Sequence, residues 1–233
     1  MKFKDPVFEG VFVKRYKRFF ADIRLKNQTV VAHVANTGSM KGLVEKETPC
    51  LVTFNDSPER KLKYSLQALR ADQTWVGINT SWPNHLVKEA FDLKKIKKWQ
   101  MYSEIRQEVK INSETRLDLQ LTSPKQKPLY VEVKNVTLAR DGVALFPDAV
   151  TSRGLKHLNE LIEIVKSGHR AEMVFVIQRT DCDTFSAAAD IDPEYAKGLT
   201  KAALSGVEIS AYSVNFGDAE IALNTEREIA IKI

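Results

Sequence analysis

Asp118, Glu132 and Lys134 are the residues of this 233-residue chain whose types and spacing could do chemistry together. Asp118 sits in the short apolar run Arg116-Leu-Asp-Leu-Gln-Leu, and Glu132 and Lys134 follow in Leu129-Tyr-Val-Glu-Val-Lys-Asn-Val, after a polar, proline-bearing turn from Thr122 to Pro128. In the second run Leu129, Val131 and Val133 alternate with Tyr130, Glu132 and Lys134, the period of a strand, so Glu132 and Lys134 share a face. A hairpin sets Asp118 beside Glu132. Paired carboxylates offer hard oxygen ligands suited to Mg²⁺ or Mn²⁺, which are held by one or two protein carboxylates together with waters and a phosphate. A lysine beside such a cation orients or deprotonates a water, or stabilises charge developing on a phosphate. Asp118 and Glu132 are therefore candidate metal ligands and, with Lys134, candidate catalytic residues. The same pattern also describes a solvated hairpin face closed by a Glu132–Lys134 ion pair, and so short a motif does not separate the two readings.

The elements that must position these groups fall into two sets. Before the hairpin, Val7 to Val13, Phe19 to Leu25, Thr29 to Ala35, Pro49 to Asn55, Lys61 to Leu69 and Thr74 to Ile78 read as short strands between turn residues. They predict an OB-like β-barrel over residues 1–84, ending where Trp82-Pro83 breaks the strand pattern. One barrel hairpin interleaves charge with rings in Lys14-Arg15-Tyr16-Lys17-Arg18-Phe19-Phe20. Barrels bind nucleic acid with that combination, so Lys14, Arg15, Tyr16, Lys17 and Arg18 are candidate nucleic-acid contacts. A basic edge strand that resists aggregation has the same composition. Asn36-Thr-Gly-Ser-Met-Lys-Gly reads as a turn or as a loop whose backbone N–H groups cradle a phosphate, although it lacks P-loop spacing.

Residues 85–233 form the second set. Helical spacing runs from His85 to Trp99 and extends over Met101 to Glu108, ahead of a strand at Val109 to Ile111. Beyond the hairpin, Thr151 or Ser152 caps a helix with Leu155, Leu158, Leu161, Ile162 and Val165 in one stripe. A strand at Ala171 to Gln178, a helix at Asp192 to Ser205, a strand at Val207 to Val214 and a hairpin from Glu220 to Ile233 complete an α/β order with a mixed sheet. The acidic stretch Asp181 to Asp192 reads as surface. If the first turns of the Thr151 helix face the sheet edge carrying Asp118 and Glu132, Arg153 and Lys156 hold the substrate phosphate, which makes Lys156 a fourth catalytic candidate. His157 reads as a structural hydrogen-bonding residue.

Several blocks, in this order, resemble the sugar fermentation stimulation protein family: Phe19-Phe-Ala-Asp-Ile, His33-Val-Ala-Asn-Thr-Gly-Ser-Met-Lys-Gly-Leu, Val131-Glu-Val-Lys-Asn-Val-Thr-Leu, and Phe146-Pro-Asp-Ala-Val-Thr-Ser-Arg-Gly-Leu-Lys-His-Leu. The resemblance implies non-specific DNA binding, a regulatory role in sugar (maltose) metabolism, and a restriction-endonuclease-like domain at 85–233 marked by Asp…(Asp/Glu)-x-Lys. On that resemblance Glu108 stands where an acidic residue precedes the first core strand, and becomes a third candidate metal ligand. The chain departs locally, with Ser113-Glu-Thr-Arg-Leu-Asp where the family tends to a shorter Asn-Ser-Arg-apolar-Asp; the aspartate is kept. The expected function is DNA binding with a Mg²⁺- or Mn²⁺-dependent nuclease site. The alternative is a non-catalytic DNA-binding regulator with an idle nuclease-like core.

Composition is compatible with both. Residues 1–85 carry 14 lysines and arginines against 8 acids, and residues 86–233 carry 21 against 22, so the excess behind the net charge of +5 lies in the barrel. That is the footprint of a polyanion-binding module or of a solvated basic surface. No apolar run is long enough to span a bilayer and the start lacks an apolar signal segment, so a cytoplasmic protein without membrane partners is expected. Cys50 and Cys182 are solitary, which argues against a disulfide framework or a zinc ribbon.

Overall fold

The computed structural model describes residues 1–71, 73–113, 115–217 and 219–233; Glu114, in the divergent segment before Asp118, lies outside the described residues. The first six strands are β1 (Val7–Tyr16), β2 (Phe20–Leu25), β3 (Gln28–Val34), β4 (Thr48–Phe54), β5 (Tyr64–Ala71) and β6 (Thr74–Gly77). They pair in the order β3-β2-β1-β4-β5, and a parallel β3–β5 contact closes the five into an OB-like barrel that β6 extends. Closure follows from period-two burial: Phe12, Ala21, Ile23, Ala32, Val34, Val52 and Leu66 face inward and are almost fully buried.

The chain then enters α1 (Trp82–Asp92). This helix begins before the expected His85, because Pro83 sits in the first turn, where no backbone donor is needed. It also stops earlier than expected: Lys94 has φ +54° and Lys97–Trp99 form only a 3-10 turn. The expected helical continuation to Glu108 is likewise replaced by strand β7 (Glu104–Lys110). Only Ile105 and Val109 of β7 are partly covered, as suits an edge strand, and its many charges resemble a solvated helix in sequence.

The rest comprises β8 (Arg116–Ser123), β9 (Gln126–Val136), β10 (Leu138–Arg140), β11 (Val143–Phe146), α2 (Ser152–Lys166), β12 (Arg170–Ile177), β13 (Thr184–Ala187), α3 (Pro193–Leu204), β14 (Glu208–Phe216), β15 (Ile221–Glu228) and β16 (Ala230–Lys232). A mixed sheet runs β15-β14-β12-β9-β8-β7, with β9, β12 and β14 parallel. Leu158, Leu161, Phe175, Tyr195 and Leu199 fill the face covered by α2 and α3, while Leu86, Trp99, Leu119, Val131 and Val174 fill the face covered by α1. The expected closing hairpin is not formed: β15 pairs with β14, and β16 pairs with β13 in a small second sheet. That sheet claims part of the acidic stretch read as surface, since Phe185 of β13 is buried and Asp192 caps α3 through Tyr195 N at 2.9 Å.

The barrel and the α/β unit meet along a polar seam. Gly77 N donates to Gln178 O at 2.8 Å, Gln178 Nε2 donates to Asn79 O at 3.2 Å, and Ser39 Oγ donates to Asp148 Oδ2 at 2.8 Å.

Candidate active site

The β8–β9 hairpin is tighter than its sequence implies, turning at Pro124-Lys125. Its ladder runs to Leu119↔Val131, so the next residues along are Asp118 and Glu132. On the other side of β8, the pairs Gln107↔Leu119 and Val109↔Leu117 put Glu108 across from Asp118, with φ at +53°. A left-handed residue inside a strand is sterically costly for a side chain longer than Gly. It places Glu108 at a cavity of about 310 Å³ that Asp118, Glu132, Arg153 and His157 also line, with Lys110 and Arg116 at its rim.

Asp118 is held from two sides. Asn84 Nδ2 of α1 donates to Oδ1 at 2.8 Å, and Val133 N donates to Oδ2 at 2.8 Å. Burial, then the nearby Glu132 charge, pushes its pKa up to about 6 despite both bonds. Glu132 behaves oppositely. Burial raises it, but a hydrogen bond with His157 and the Lys134 ammonium outweigh burial and hold the carboxyl below its usual range. Lys134 Nζ lies 2.6 Å from Glu132 Oε1, His157 Nδ1 shares that oxygen, and Lys134 Nζ is 3.2 Å from His157 Nδ1. The environments thus push the two carboxyl groups apart, the arrangement that assigns different roles to neighbouring acids.

α2 delivers the remaining groups. Thr151 caps it through Gly154 N at 3.0 Å, and its first turns face inward so that Arg153 Nε lies 3.4 Å from His157 Nε2. Lys156 falls on another side of the helix: it is exposed and lines a separate depression with Asn159 and Glu163, so the structure does not bring it to Asp118 and Glu132. His157 takes the inward position instead. One participant escapes sequence reasoning: Asn84 is far along the chain from Asp118. His157 plays the structural hydrogen-bonding part read for it, with Glu132 as the partner the sequence does not name.

Whether these residues suit a divalent cation can be judged from their chemistry. Among the described residues no three His, Cys, Asp or Glu side chains gather closely enough to cage a metal ion, so Glu108 does not complete a triad. Yet Glu132 Oε2 is buried and finds no hydrogen-bond partner among the described residues, beside a second carboxylate, at a polar cavity. An orphaned anionic oxygen there fits a hard cation bound chiefly through water and phosphate.

In the barrel, the candidate contacts are divided. Lys17 and Arg18 form the exposed β1–β2 turn with φ of +48° and +62°. Lys14 pairs with Asp22 at 3.4 Å, and Tyr16 Oη hydrogen-bonds Asp22 Oδ1 at 3.1 Å. Arg15, expected to face nucleic acid, spends its donors within the barrel: they reach the carbonyl oxygens of Asn36 (2.6 Å), Gly38 (3.0 Å) and Arg18 (2.8 Å). It braces the Asn36–Gly38 backbone, and the same loop reaches Asp148 Oδ2 through Ser39 Oγ at 2.8 Å and Met40 N at 3.3 Å.

Residues 13–78 match the family described as the SfsA N-terminal OB domain, and residues 81–220 match the sugar fermentation stimulation protein RE domain. A sugar fermentation stimulation protein homolog of Bdellovibrio bacteriovorus is 45% identical over 235 residues, covering 96% of this chain and 97% of the relative. The homolog of Geotalea daltonii is 49% identical over 213 residues, covering 91% and 92%. Among solved structures, SfsA of Pyrococcus furiosus in complex with Ca²⁺ superposes over the full length of both chains with a TM-score of 0.89 and 25% identity. With both of its domains matched and its barrel and mixed sheet arranged alike, the chain belongs to the sugar fermentation stimulation protein family.

Proposed function

We propose that this protein binds nucleic acid, DNA by preference, and hydrolyses its phosphodiester bonds with Mg²⁺ or Mn²⁺. One observation carries the reading: two neighbouring carboxylates, Asp118 and Glu132, open onto a cavity rimmed by Lys110, Arg116 and Arg153. Asp118 and Glu132 would hold the cation, which supplies Lewis acidity and a lowered water pKa when bound. The chain's own groups do the rest. Arg153 and the rim cations attract and orient a phosphate. Asn84, Val133 N, His157 and Lys134 fix the two carboxylates, and preorganisation of this kind spares reorganisation during reaction. The Ca²⁺ complex of the Pyrococcus furiosus relative supports the metal, since Ca²⁺ shares the preference for oxygen ligands. Lys14, Lys17 and Arg18 add positive charge on the barrel.

A second reading rests on Lys134. Its Nζ is committed to Glu132 and packed 3.2 Å from His157 Nδ1, its side chain is only 13% exposed, and it is not among the residues lining the cavity, which suits an idle core in a DNA-binding regulator. Cleavage assays on supercoiled and single-stranded DNA with Mg²⁺, Mn²⁺ or chelator decide between the two. Nuclease activity requires metal-dependent cutting that Asp118→Asn abolishes. Tight binding without cutting under any metal leaves the regulator.

A further inference from the structure

Tyr195 is a buried polar group that the proposed chemistry leaves unused. It stands in the first turn of α3, where its N–H donates to Asp192 Oδ1 at 2.9 Å while Asp192 Oδ2 accepts from Thr151 N, so the residue is tied to the start of α2 as well as to its own helix. The side chain is fully buried and packs edge-on against Phe146, with centroids 5.1 Å apart. Its hydroxyl nevertheless finds no hydrogen-bond partner among the described residues, and Glu132 Oε2 is in the same condition. Glu132 is registered with Met173 of β12, so it projects from the sheet face that α2 and α3 cover, where Met173 and Tyr195 belong to one core. A Cβ on Gly154 would fall 3.1 Å from Tyr195 Cε2, the ring carbon next to the one that bears the hydroxyl. His157 follows Gly154 by three residues on the same side of α2, and its Nδ1 meets Glu132 Oε1. The phenol of Tyr195 and the carboxyl of Glu132 thus flank one turn of the helix. Burial, then the Glu132 charge, raises the pKa of the phenol, so the hydroxyl keeps its proton and stays a donor.

We propose that Tyr195 is a positioning residue for Glu132: its hydroxyl donates, through one buried water, to Oε2, the carboxylate oxygen that Lys134 and His157 leave over. Buried polar groups are paired in the great majority of cases, and a water between a donor and a carboxylate serves both nearly as well as direct contact. Lys134 and His157 then hold one oxygen of Glu132 and Tyr195 the other, which sets the plane of the carboxylate at the cavity. The consequence for metal affinity rests on the reading of Glu132 as a metal ligand; the hydrogen bond itself needs no metal.

The test is chemical denaturation, in chelator, of wild type, Tyr195→Phe, Glu132→Gln and the double variant, followed by calorimetric titration of wild type and Tyr195→Phe with Mn²⁺. Tyr195→Phe keeps the ring and removes only the hydroxyl. Were that hydroxyl an unserved polar group, its removal would leave the folding equilibrium constant unchanged or raise it. The constant is expected instead to fall by about 10-fold, and by clearly less when the same substitution is made in Glu132→Gln, where the charge that the hydroxyl serves is gone. Mn²⁺ affinity is expected to fall by about 10- to 100-fold, the range for losing a group that orients a metal ligand. A Tyr195→Phe protein that unfolds at or above the wild-type midpoint overturns the proposal, as does a loss of equal size in both backgrounds or an unchanged Mn²⁺ affinity. If Glu132→Gln does not fold, the midpoint and the Mn²⁺ titration of Tyr195→Phe decide alone. If wild type takes up no Mn²⁺, the metal reading fails, and the metal-free comparison still decides the hydrogen bond.

Discussion

Asp118 is placed where its charged form is disfavoured, and that has a measurable consequence. With its pKa at about 6 in the folded state against an ordinary value of 3.8, the native protein binds the proton more tightly than the unfolded chain. Stability therefore falls as pH rises between about 4 and 6, by at most about 3 kcal/mol from this group. Glu132, held low, works the other way: its contribution is present at neutral pH and is lost only as pH falls below the ordinary carboxylate range. Denaturant melts without metal should show the descending step between pH 4 and 6 in wild type, and Asp118→Asn should flatten it. Adding Mn²⁺ should raise the melting temperature at pH 7.5 but not at pH 4.5, and equal metal stabilisation in Asp118→Asn would remove Asp118 from the ligand set. In an active nuclease Lys134→Met should cost on the order of 10² to 10⁴ in cleavage rate while DNA affinity barely moves. The convergence of Asp118, Glu132 and Lys134 was legible in sequence because one hairpin makes it locally. The positions of Lys156 and Arg15 were not, because helix rotation and the carbonyl oxygens of Asn36 and Gly38 are set by tertiary packing.

α2 is the element on which the site depends, since Arg153 and His157 stand in its first two turns while Leu158, Leu161 and Ile162 anchor it to the sheet. Its N-terminus is fixed twice: Thr151 Oγ1 accepts from Gly154 N at 3.0 Å, and Thr151 N donates to Asp192 Oδ2 at 2.8 Å, which ties α2 to the cap of α3. Thr151→Ala removes the first bond and should lower stability by about 1 kcal/mol, with Thr151→Asn restoring most of it. Thermal melts of the three proteins check this, and equal midpoints would show that the Asp192 contact suffices. Leu161→Ala empties a fully buried position and should cost about 2–5 kcal/mol. The stripe and cap of α2 could be read from the chain alone because helix periodicity and capping are local signals. β7 and β16 could not: β7 is a charged edge strand, and β16 finds its partner β13 more than forty residues back in the chain.

At the scale of the whole molecule, charge and contact divide the work between the two units. The basic excess lies in residues 1–85, so nucleic-acid affinity should fall steeply with salt, with a log–log slope of about −0.9 per duplex phosphate neutralised, and replacing Lys14, Lys17 and Arg18 with alanine should shallow it for all sequences alike. A flat salt response would show that the excess charge is only a solvated surface. The seam between the units has little room to adjust. A Cβ on Gly77 would fall 2.4 Å from Gln178 Oε1 and 3.2 Å from the Trp82 ring, and Gln178 is fully buried with Nε2 held by Asn79 O and, at 2.5 Å, by Asn135 Oδ1. Asn135 follows Lys134 on β9, so displacing Gln178 disturbs the strand that carries the site. Gly77→Ala should therefore cost about 1–3 kcal/mol, the usual range for overpacking, and should lower metal affinity although Gly77 contacts no carboxylate of the site. Calorimetric melting is expected to show one transition in wild type and, in Gly77→Ala, a separate earlier one for the unit whose seam contacts are lost. A single transition at the wild-type midpoint, with unchanged Mn²⁺ titration, would mean that Gln178 moves aside freely and that the seam does not couple barrel to site.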